Sequence, residues 1–157
     1  MSLLNNLQQL CIEKGVSVAV AESCTAGLIA YKLTTVSGSS SYFKGGVIAY
    51  QNEIKTKTLG VSRSIIDEKT EVSAEVVEQM TKSVLEKFDA DFAVATSGYA
   101  GPTGGTNKNP IGTVFIAIAS AEGVVVSRFV FSGNRQSVVN QASESALDLL
   151  YTKIKKQ

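Results

Sequence analysis

The sequence predicts an α/β fold, a three-layer α/β/α sandwich around a mixed, mainly parallel sheet. Short β-rich segments alternate with amphipathic helical segments along most of the chain. Two further β-rich segments near the C-terminus are separated only by a tight turn. The 157 residues, 44% of them hydrophobic and 18% charged, suffice for one core, so residues 1–157 are expected to form a single domain.

The N-terminal quarter predicts the order helix, strand, helix. Apolar residues recur at helical spacing before Gly15 and predict an amphipathic helix whose buried face includes Leu3, Leu7, Leu10 and Cys11. Residues 16–21 form a short β-rich segment, and residues 24–35 are predicted to form a helix that begins directly after it. A tight turn is therefore expected between this strand and this helix.

The middle of the chain continues the alternation. Residues 43–50 predict a second strand, and Asn52 is a suitable cap for a short helix that ends near Gly60. Ser73 is the predicted N-cap of a helix whose apolar face consists of Val77, Met80, Val84 and Phe88. Residues 92–96 then predict a buried strand.

The C-terminal third predicts a hairpin followed by a closing helix. Residues 113–119 and 124–131 are β-rich and flank a turn at residues 120–123, which predicts an antiparallel pair. The helix is predicted from apolar residues at helical spacing, namely Val139, Ala142, Ala146, Leu149 and Tyr151.

Composition restricts the function. Fifteen Lys and Arg against fourteen Asp and Glu leave a formal charge of +1, which predicts no attraction to nucleic acid or to an anionic membrane. No apolar stretch is long enough to cross a bilayer, and residues 1–10 lack the apolar core of a signal peptide, so we expect a cytoplasmic location. The absence of histidine removes the usual general base and the commonest metal ligand. The two cysteines match no disulfide or zinc pattern.

Ser23 lies where the first predicted strand turns into the following helix. Ligands of open α/β sheets collect at the carboxyl ends of strands, so Ser23 is a candidate nucleophile. Alternatively, Ser23 or Thr25 caps the helix. Cys24 is a rival nucleophile, although without a histidine partner a small buried cysteine is the simpler interpretation. Glu22 either orients a ligand or forms an ordinary salt bridge.

Lys55 is the candidate base for a hydroxyl nucleophile in a chain without histidine. It falls in the first turn of the helix after Asn52, where the positive end of the helix dipole disfavours an ammonium. An exposed lysine, like Lys57, is the alternative and fits position alone better. Tyr50 ends the second predicted strand, and it either transfers a proton, binds substrate or is simply half-buried there.

Three further segments are candidate ligand contacts. The glycine-rich residues 98–106 can approach a ligand closely through their backbone, although a flexible surface loop has the same composition. Arg135 begins the last helix and either grips a phosphate or forms a surface ion pair. Residues 37–41 offer hydroxyls in what is otherwise an ordinary polar loop.

The order of short motifs resembles the C-terminal domain family of the competence-damage-inducible protein CinA, whose free-standing members include PncC-type nicotinamide-nucleotide amidases. The resemblance covers almost the whole chain. The motifs are Ala-Glu-Ser-Cys-Thr at 21–25, Gly-Ser-Ser at 38–40, Phe-Lys-Gly-Gly-Val-Ile-Ala-Tyr at 43–50, Asn-Glu-Ile-Lys at 52–55, Val-Ser at 72–73, Thr-Ser-Gly at 96–98, Ala-Gly-Pro at 100–102, Pro-Ile-Gly-Thr-Val at 110–114 and Phe-Ser-Gly-Asn-Arg at 131–135.

The resemblance implies hydrolysis of the carboxamide of nicotinamide mononucleotide to nicotinate mononucleotide and ammonia. It implies Ser23 as nucleophile, Lys55 as base and Tyr50 nearby, with no metal and no organic cofactor. The implied partner is this small nucleotide substrate, and assembly into a homo-oligomer is left open. The expected substrate-binding residues are Thr25, Gly38, Ser39, Ser40, Gly98, Gly101, Gly104, Gly105 and Arg135.

Two departures from the family pattern lie close to these residues: Ala26 where the family often has glycine, and Asn134 where it often has aspartate. Neither replaces an expected catalytic residue. Two other functions are considered: a nucleotide-binding or regulatory module without turnover, and a hydrolase of another small amide or ester. A DNA-handling role finds no support in a nearly neutral chain.

Overall fold

A computed structural model of the chain describes residues 2–157. Its centre is a five-stranded sheet formed by β1 (Val18–Glu22), β2 (Phe43–Ile48), β3 (Phe92–Gly98), β4 (Thr113–Ser120) and β5 (Gly123–Val130). The helices are α1 (Leu3–Lys14), α2 (Leu28–Leu33), α3 (Asn52–Leu59), α4 (Arg63–Lys69), α5 (Ala74–Lys87) and α6 (Arg135–Lys156), and a short 3₁₀ helix covers Ser39–Ser41.

The strand order is β2-β1-β3-β4-β5. Strand β1 is parallel to both β2 and β3, whereas β4 is antiparallel to β3 and to β5. Only β4 therefore runs against the other strands, which confirms the mixed, mainly parallel sheet. The β4–β5 pair is the predicted hairpin, with Ser120 paired to Gly123.

The two faces of the sheet carry different side chains. One face presents β-branched residues, among them Val20, Val94 and Ile116, to a core that also contains residues of α1, α2 and α6. The other face presents mainly alanine in the three central strands, packed with α5 and residues of α3 and α4. Helices thus cover both faces, which confirms the three-layer α/β/α architecture.

Several predicted helix ends are confirmed by their caps. Gly15 ends α1 in the left-handed conformation, with φ of 65°. Ser73 caps α5, because its Oγ accepts a hydrogen bond of 3.3 Å from the N–H of Val76. The expectation that Cys11 belongs to the core is confirmed as well, since its side chain is fully buried.

The predicted start of α2 is wrong by four residues. The helix begins at Leu28 because Ala26 and Gly27 have φ of 49° and 95°, so residues 23–27 form a turn. Neither Ser23 nor Thr25 caps a helix. The cap of α3 is also displaced by one residue, since Gln51 precedes the helix and Asn52 is its first residue. Helix α4, capped by Ser62, was not predicted.

The parallel arrangement brings the carboxyl ends of β1, β2 and β3 to one edge of the sheet. The polypeptide that follows each strand is therefore gathered there: Ser23 after β1, Tyr50 after β2 and the glycine-rich loop after β3. No helix among residues 2–157 combines the length and apolar character needed to cross a bilayer.

Candidate active site

A cavity of about 380 Å³ lies at this edge of the sheet. It is bounded by the turn after β1, the start of α3, the segment before α5, the loop after β3 and the first residue of α6. The lining residues are Ser23, Cys24, Tyr50, Gln51, Asn52, Lys55, Glu71, Ser97, Gly98, Tyr99, Ala100, Gly101, Thr103 and Arg135. Four of the expected site residues are thus brought together: Ser23, Tyr50, Lys55 and Arg135.

Ser23 has a fixed backbone and a free hydroxyl. Its N–H donates to the carbonyl of Thr96 at 3.1 Å, and its own carbonyl accepts from the N–H of Ala26 at 3.0 Å. The residue is only 7% exposed, yet its Oγ makes no hydrogen bond with any other group in residues 2–157. The hydroxyl is therefore available to solvent or to a ligand in the cavity that Ser23 lines.

Glu22 performs the capping that Ser23 does not. Its carboxylate is fully buried and accepts hydrogen bonds of 3.0 Å from the N–H groups of Ile29 and Ala30 in the first turn of α2. Neither alternative from the sequence, a ligand-orienting carboxylate or a salt-bridge partner, describes this role. A helix cap supplied by the preceding strand leaves the intervening turn free to present Ser23.

Lys55 is buried although it lies on a short polar helix. It is 1% exposed, and its Nζ donates a hydrogen bond of 2.9 Å to the backbone carbonyl of Tyr50. Burial lowers the pKa of Lys55, while the nearby Glu71 acts in the opposite direction. Lys57 makes the expected surface contact instead, pairing with Glu53 at 2.7 Å. The exposed-lysine alternative therefore holds for Lys57 and fails for Lys55.

Tyr50 connects Lys55 to Arg135. The backbone carbonyl of Tyr50 holds the lysine, and its phenol oxygen accepts from Arg135 Nη2 at 2.7 Å. The ring itself is 52% exposed beyond the end of β2. Arg135 also donates through Nη1 to the carbonyl of Gly101 at 2.8 Å, so its guanidinium joins the loop after β3 to the segment after β2.

Cys24 lines the same cavity but is poorly suited to nucleophilic chemistry. Burial raises the pKa of its thiol to about 12, and the hydrogen bond from Thr96 offsets only part of this rise. Thiolate is the reactive form, and very little of it forms at neutral pH in such surroundings. The interpretation of Cys24 as a small buried cysteine fits the structure.

Some expected binding residues lie outside the cavity. Gly104 and Gly105 border a shallower depression, and Thr25 is buried with its Oγ1 at 2.8 Å from that of Thr96. Gly38, Ser39 and Ser40 precede β2, and therefore lie at the opposite edge of the sheet from the cavity. Gly98 and Gly101 do line it. A Cβ on Gly98 would meet the carbonyl of Thr113 at 2.6 Å, so glycine permits the close approach of β3 and β4 there.

Glu71 is the main charged residue of the cavity that sequence reasoning missed. It follows α4 and reaches the site because the segment between α4 and α5 crosses the end of β3.

The two departures from the family pattern have local explanations. Ala26 adopts a positive φ that glycine would adopt without strain, and Asn134 caps α6 by accepting from the N–H of Ser137 at 2.9 Å.

Comparisons with known proteins agree with this fold. A family model described as the CinA C-terminal domain matches residues 1–154. A CinA-like protein of Flavobacterium psychrophilum is 44% identical over 150 residues, which are 96% of this chain and 36% of that protein. Another, from Desulfotalea psychrophila, is 45% identical over 90% of this chain and 34% of its own length. The chain thus spans little more than a third of these curated relatives.

Solved structures match over nearly their full lengths. A CinA superfamily protein from Klebsiella pneumoniae superposes with a TM-score of 0.94 at 32% identity, covering 99% of this chain and 97% of that one. A competence/damage-inducible protein from Agrobacterium tumefaciens has a TM-score of 0.89 at 32% identity, covering 97% and 96%.

Proposed function

Because the chain belongs to the CinA C-terminal domain family, we propose that it hydrolyses the carboxamide of nicotinamide mononucleotide to nicotinate mononucleotide and ammonia. The observation that carries this proposal is that a free hydroxyl, Ser23, and a buried amine, Lys55, line one cavity. The names of the relatives specify no reaction, so the assignment depends on the chemistry of the site and on the family resemblance.

In the first step, the neutral amine of Lys55 accepts the Ser23 proton as Oγ bonds to the carboxamide carbon. Burial favours this neutral form because it lowers the pKa of Lys55. The hydrogen bond from Nζ to the Tyr50 carbonyl uses one N–H and leaves the nitrogen lone pair for the proton. The carbonyl π electrons move to oxygen and form a tetrahedral oxyanion.

The oxyanion needs a hydrogen-bond donor close to Ser23. The N–H of Ser23 is committed to Thr96, whereas the N–H of Cys24 donates to no oxygen in residues 2–157. We assign the Cys24 N–H to the oxyanion, which makes it the group that stabilises charge developing in the transition state. The backbone of Ser97 and Gly98, which also lines the cavity, is the second candidate.

Collapse of the oxyanion breaks the carbon–nitrogen bond, and Lys55 returns the proton to the departing nitrogen to give ammonia and a Ser23 ester. Water then attacks the ester carbon and gives its proton to Lys55. The bond from Ser23 Oγ to this carbon breaks, Oγ recovers the proton, and nicotinate mononucleotide leaves. Lys55 carries every proton transferred in this scheme, which uses no metal and no organic cofactor.

Arg135 is proposed to bind the substrate phosphate. A guanidinium carries five N–H donors, and two of those of Arg135 are used by Gly101 and Tyr50. The remaining donors, together with the first turn of α6, suit an anion. The proposed partner is therefore a small nucleotide, acted on in the cytoplasm.

The test is ammonia release from nicotinamide mononucleotide by the purified chain. Ser23→Ala and Lys55→Met are expected to lose about 100-fold to 10,000-fold in kcat/KM, because each removes a group that moves or bonds in the transition state. Cys24→Ala and the matched control Lys57→Met are expected to stay within about threefold of the parent. Circular dichroism checks that each variant is folded.

Full activity in Ser23→Ala would exclude the mechanism. Loss of activity in Cys24→Ala with activity kept in Ser23→Ala would transfer the nucleophile to the thiol. Calorimetric binding of the nucleotide without ammonia release by the unaltered chain would favour a binding or regulatory module instead.

A further inference from the structure

We infer that Glu71 determines ligand specificity by charge: its carboxylate favours a ligand with a cationic ring in this cavity and disfavours an anionic carboxylate at the same place. This inference rests on the proposed function, and it adds a residue that neither the motifs nor the mechanism uses. Its evidence is a positioned backbone, an unpaired carboxylate and the charges that surround it.

The backbone around Glu71 accepts hydrogen bonds from three side chains, two of them distant in sequence. Its own carbonyl accepts from Ser97 Oγ at the end of β3, at 2.7 Å. The carbonyl of Val72 accepts from Asn109 Nδ2 at 3.3 Å, and that of Thr70 accepts from Ser73 Oγ at 3.0 Å. The segment that carries Glu71 is thus fixed to the wall of the cavity and is not a free loop.

The carboxylate of Glu71 has no partner of its own. The residue is half-buried and lines the cavity, yet its side chain makes no hydrogen bond and no ion pair with any described residue from Ser2 to the C-terminus. The buried carboxylate of Glu22, by contrast, is fully used by α2. A half-buried anion without a partner is available to a ligand that carries the complementary charge.

The other ionisable groups of the cavity do not neutralise Glu71 by contact. Lys55 donates to Tyr50, and Arg135 donates to Gly101 and to the phenol of Tyr50. Glu71 acts on Lys55 through space, since it raises the pKa of the lysine that burial lowers. In the mechanism Lys55 is neutral when substrate binds, so Glu71 is then the one anion among the residues that line the cavity, opposite in sign to Arg135.

The proposed substrate and product differ in a way that this charge can detect. The pyridinium ring of nicotinamide mononucleotide is cationic and its carboxamide is neutral, whereas the product carries a carboxylate in place of the amide. Both keep the cationic ring, which a fixed carboxylate attracts, but the carboxylate of the product is repelled, so Glu71 favours the substrate over the product. An interaction between opposite charges in a partly solvated cavity changes affinity by about tenfold.

The test measures binding by calorimetry in the Ser23→Ala background, where no ligand is turned over. Three ligands are compared: nicotinamide mononucleotide, its reduced form with a neutral dihydropyridine ring, and nicotinate mononucleotide. Glu71→Gln is expected to weaken the first about tenfold and to leave the second within about twofold. The third is expected to weaken less than the first, because the lost attraction to its cationic ring is offset by the relieved repulsion of its carboxylate. Glu71→Asp keeps the charge and is expected to retain the parent order of affinities.

Glu68→Gln is the matched control. It removes the same charge three residues away, from a side chain that lines a separate cavity on the other side of this segment. It is expected to change all three affinities by less than about twofold.

A Glu71→Gln variant that changes the three affinities equally, or not at all, would overturn the inference. If the unaltered chain releases ammonia from nicotinamide mononucleotide, that result leaves the proposed function standing and only the role of Glu71 is lost. If the chain neither binds nor hydrolyses the nucleotide, both are overturned.

Discussion

Ser23 keeps a free hydroxyl because neighbouring residues satisfy the polar groups around it. Glu22 caps α2, Thr25 pairs with Thr96, and the N–H of Ser23 itself is bound to the Thr96 carbonyl. A serine at the end of a strand would otherwise use its Oγ for one of these tasks. The Ser23 hydroxyl is thus left free by the hydrogen bonds of its neighbours as much as by its position at the end of β1.

Lys55 gives a prediction about pH. The lysine must be neutral to accept a proton, so kcat/KM is expected to rise with pH through the pKa of Lys55, which burial places below the ordinary value of 10.5. Glu71 raises this pKa, and removal of its charge therefore favours the neutral form. In Glu71→Gln the acidic limb of the pH–rate profile is expected to move to lower pH.

The profile is measured as ammonia release over the range in which the chain stays folded, with Glu68→Gln as the control whose limb stays in place. Cys24→Ala is a second control whose limb is expected to stay in place, because burial raises the pKa of the Cys24 thiol to about 12 and leaves it uncharged. A limb that moves to higher pH in Glu71→Gln contradicts both the identity of the base and the sign of the Glu71 effect.

At the scale of elements, the site depends on where α2 begins. The sequence predicted a helix directly after β1, because residues 24–35 have a helical composition and Ser23 is a good cap. The contact that decides the outcome joins Glu22 to N–H groups seven and eight residues later. Local pattern contains no signal for such a cap, and a positive φ at Ala26 is equally hard to anticipate.

Removal of the Glu22 carboxylate is expected to destabilise the chain strongly. Glu22→Ala leaves the N–H groups of Ile29 and Ala30 without acceptors in the interior, at a cost of about 2–4 kcal/mol in the free energy of unfolding. Ser73→Ala, which removes one acceptor from the start of α5, is the comparison and is expected to cost about 1 kcal/mol. Urea unfolding measures both. A smaller loss in Glu22→Ala than in Ser73→Ala would show that the buried carboxylate is not the main cap of α2.

Elements also explain which site residues could be anticipated. Ser23, Tyr50 and Arg135 could be anticipated from the sequence. Each lies at a junction between a strand and a helix, and parallel strands bring such junctions together. Glu71 could not be anticipated, because α4 was not predicted and the path of the chain after α4 was therefore unknown. The 38–40 segment was expected at the site although it precedes β2, and strand direction places it at the opposite edge.

At the scale of the whole molecule, the alternation of strands and helices sufficed to predict the layers. The strand order was less accessible, because β1 lies between β2 and β3 and these neighbours are distant in sequence. The different character of the two faces is visible in the sequence once the strands are known. Along β4, isoleucine and alanine alternate from Ile116 to Ala119, and the alanines face α5.

This asymmetry predicts that a larger side chain is costly on one face of β4 and a smaller side chain is costly on the other. Ala117→Val adds two methyl groups to the face on which α5 packs closely, and overpacking there is expected to cost about 1–3 kcal/mol. Ile116→Val removes one methylene from the opposite face and is expected to cost about 1 kcal/mol through lost burial. Ala121→Val, at the exposed turn of the hairpin, is the control and should stay within about 0.5 kcal/mol of the parent. Urea unfolding of the three variants compares the faces directly. Suppose that Ala117→Val leaves the free energy of unfolding unchanged while Ile116→Val lowers it. The space between the sheet and α5 is then larger than the fully buried alanines indicate, which would contradict close packing in that layer.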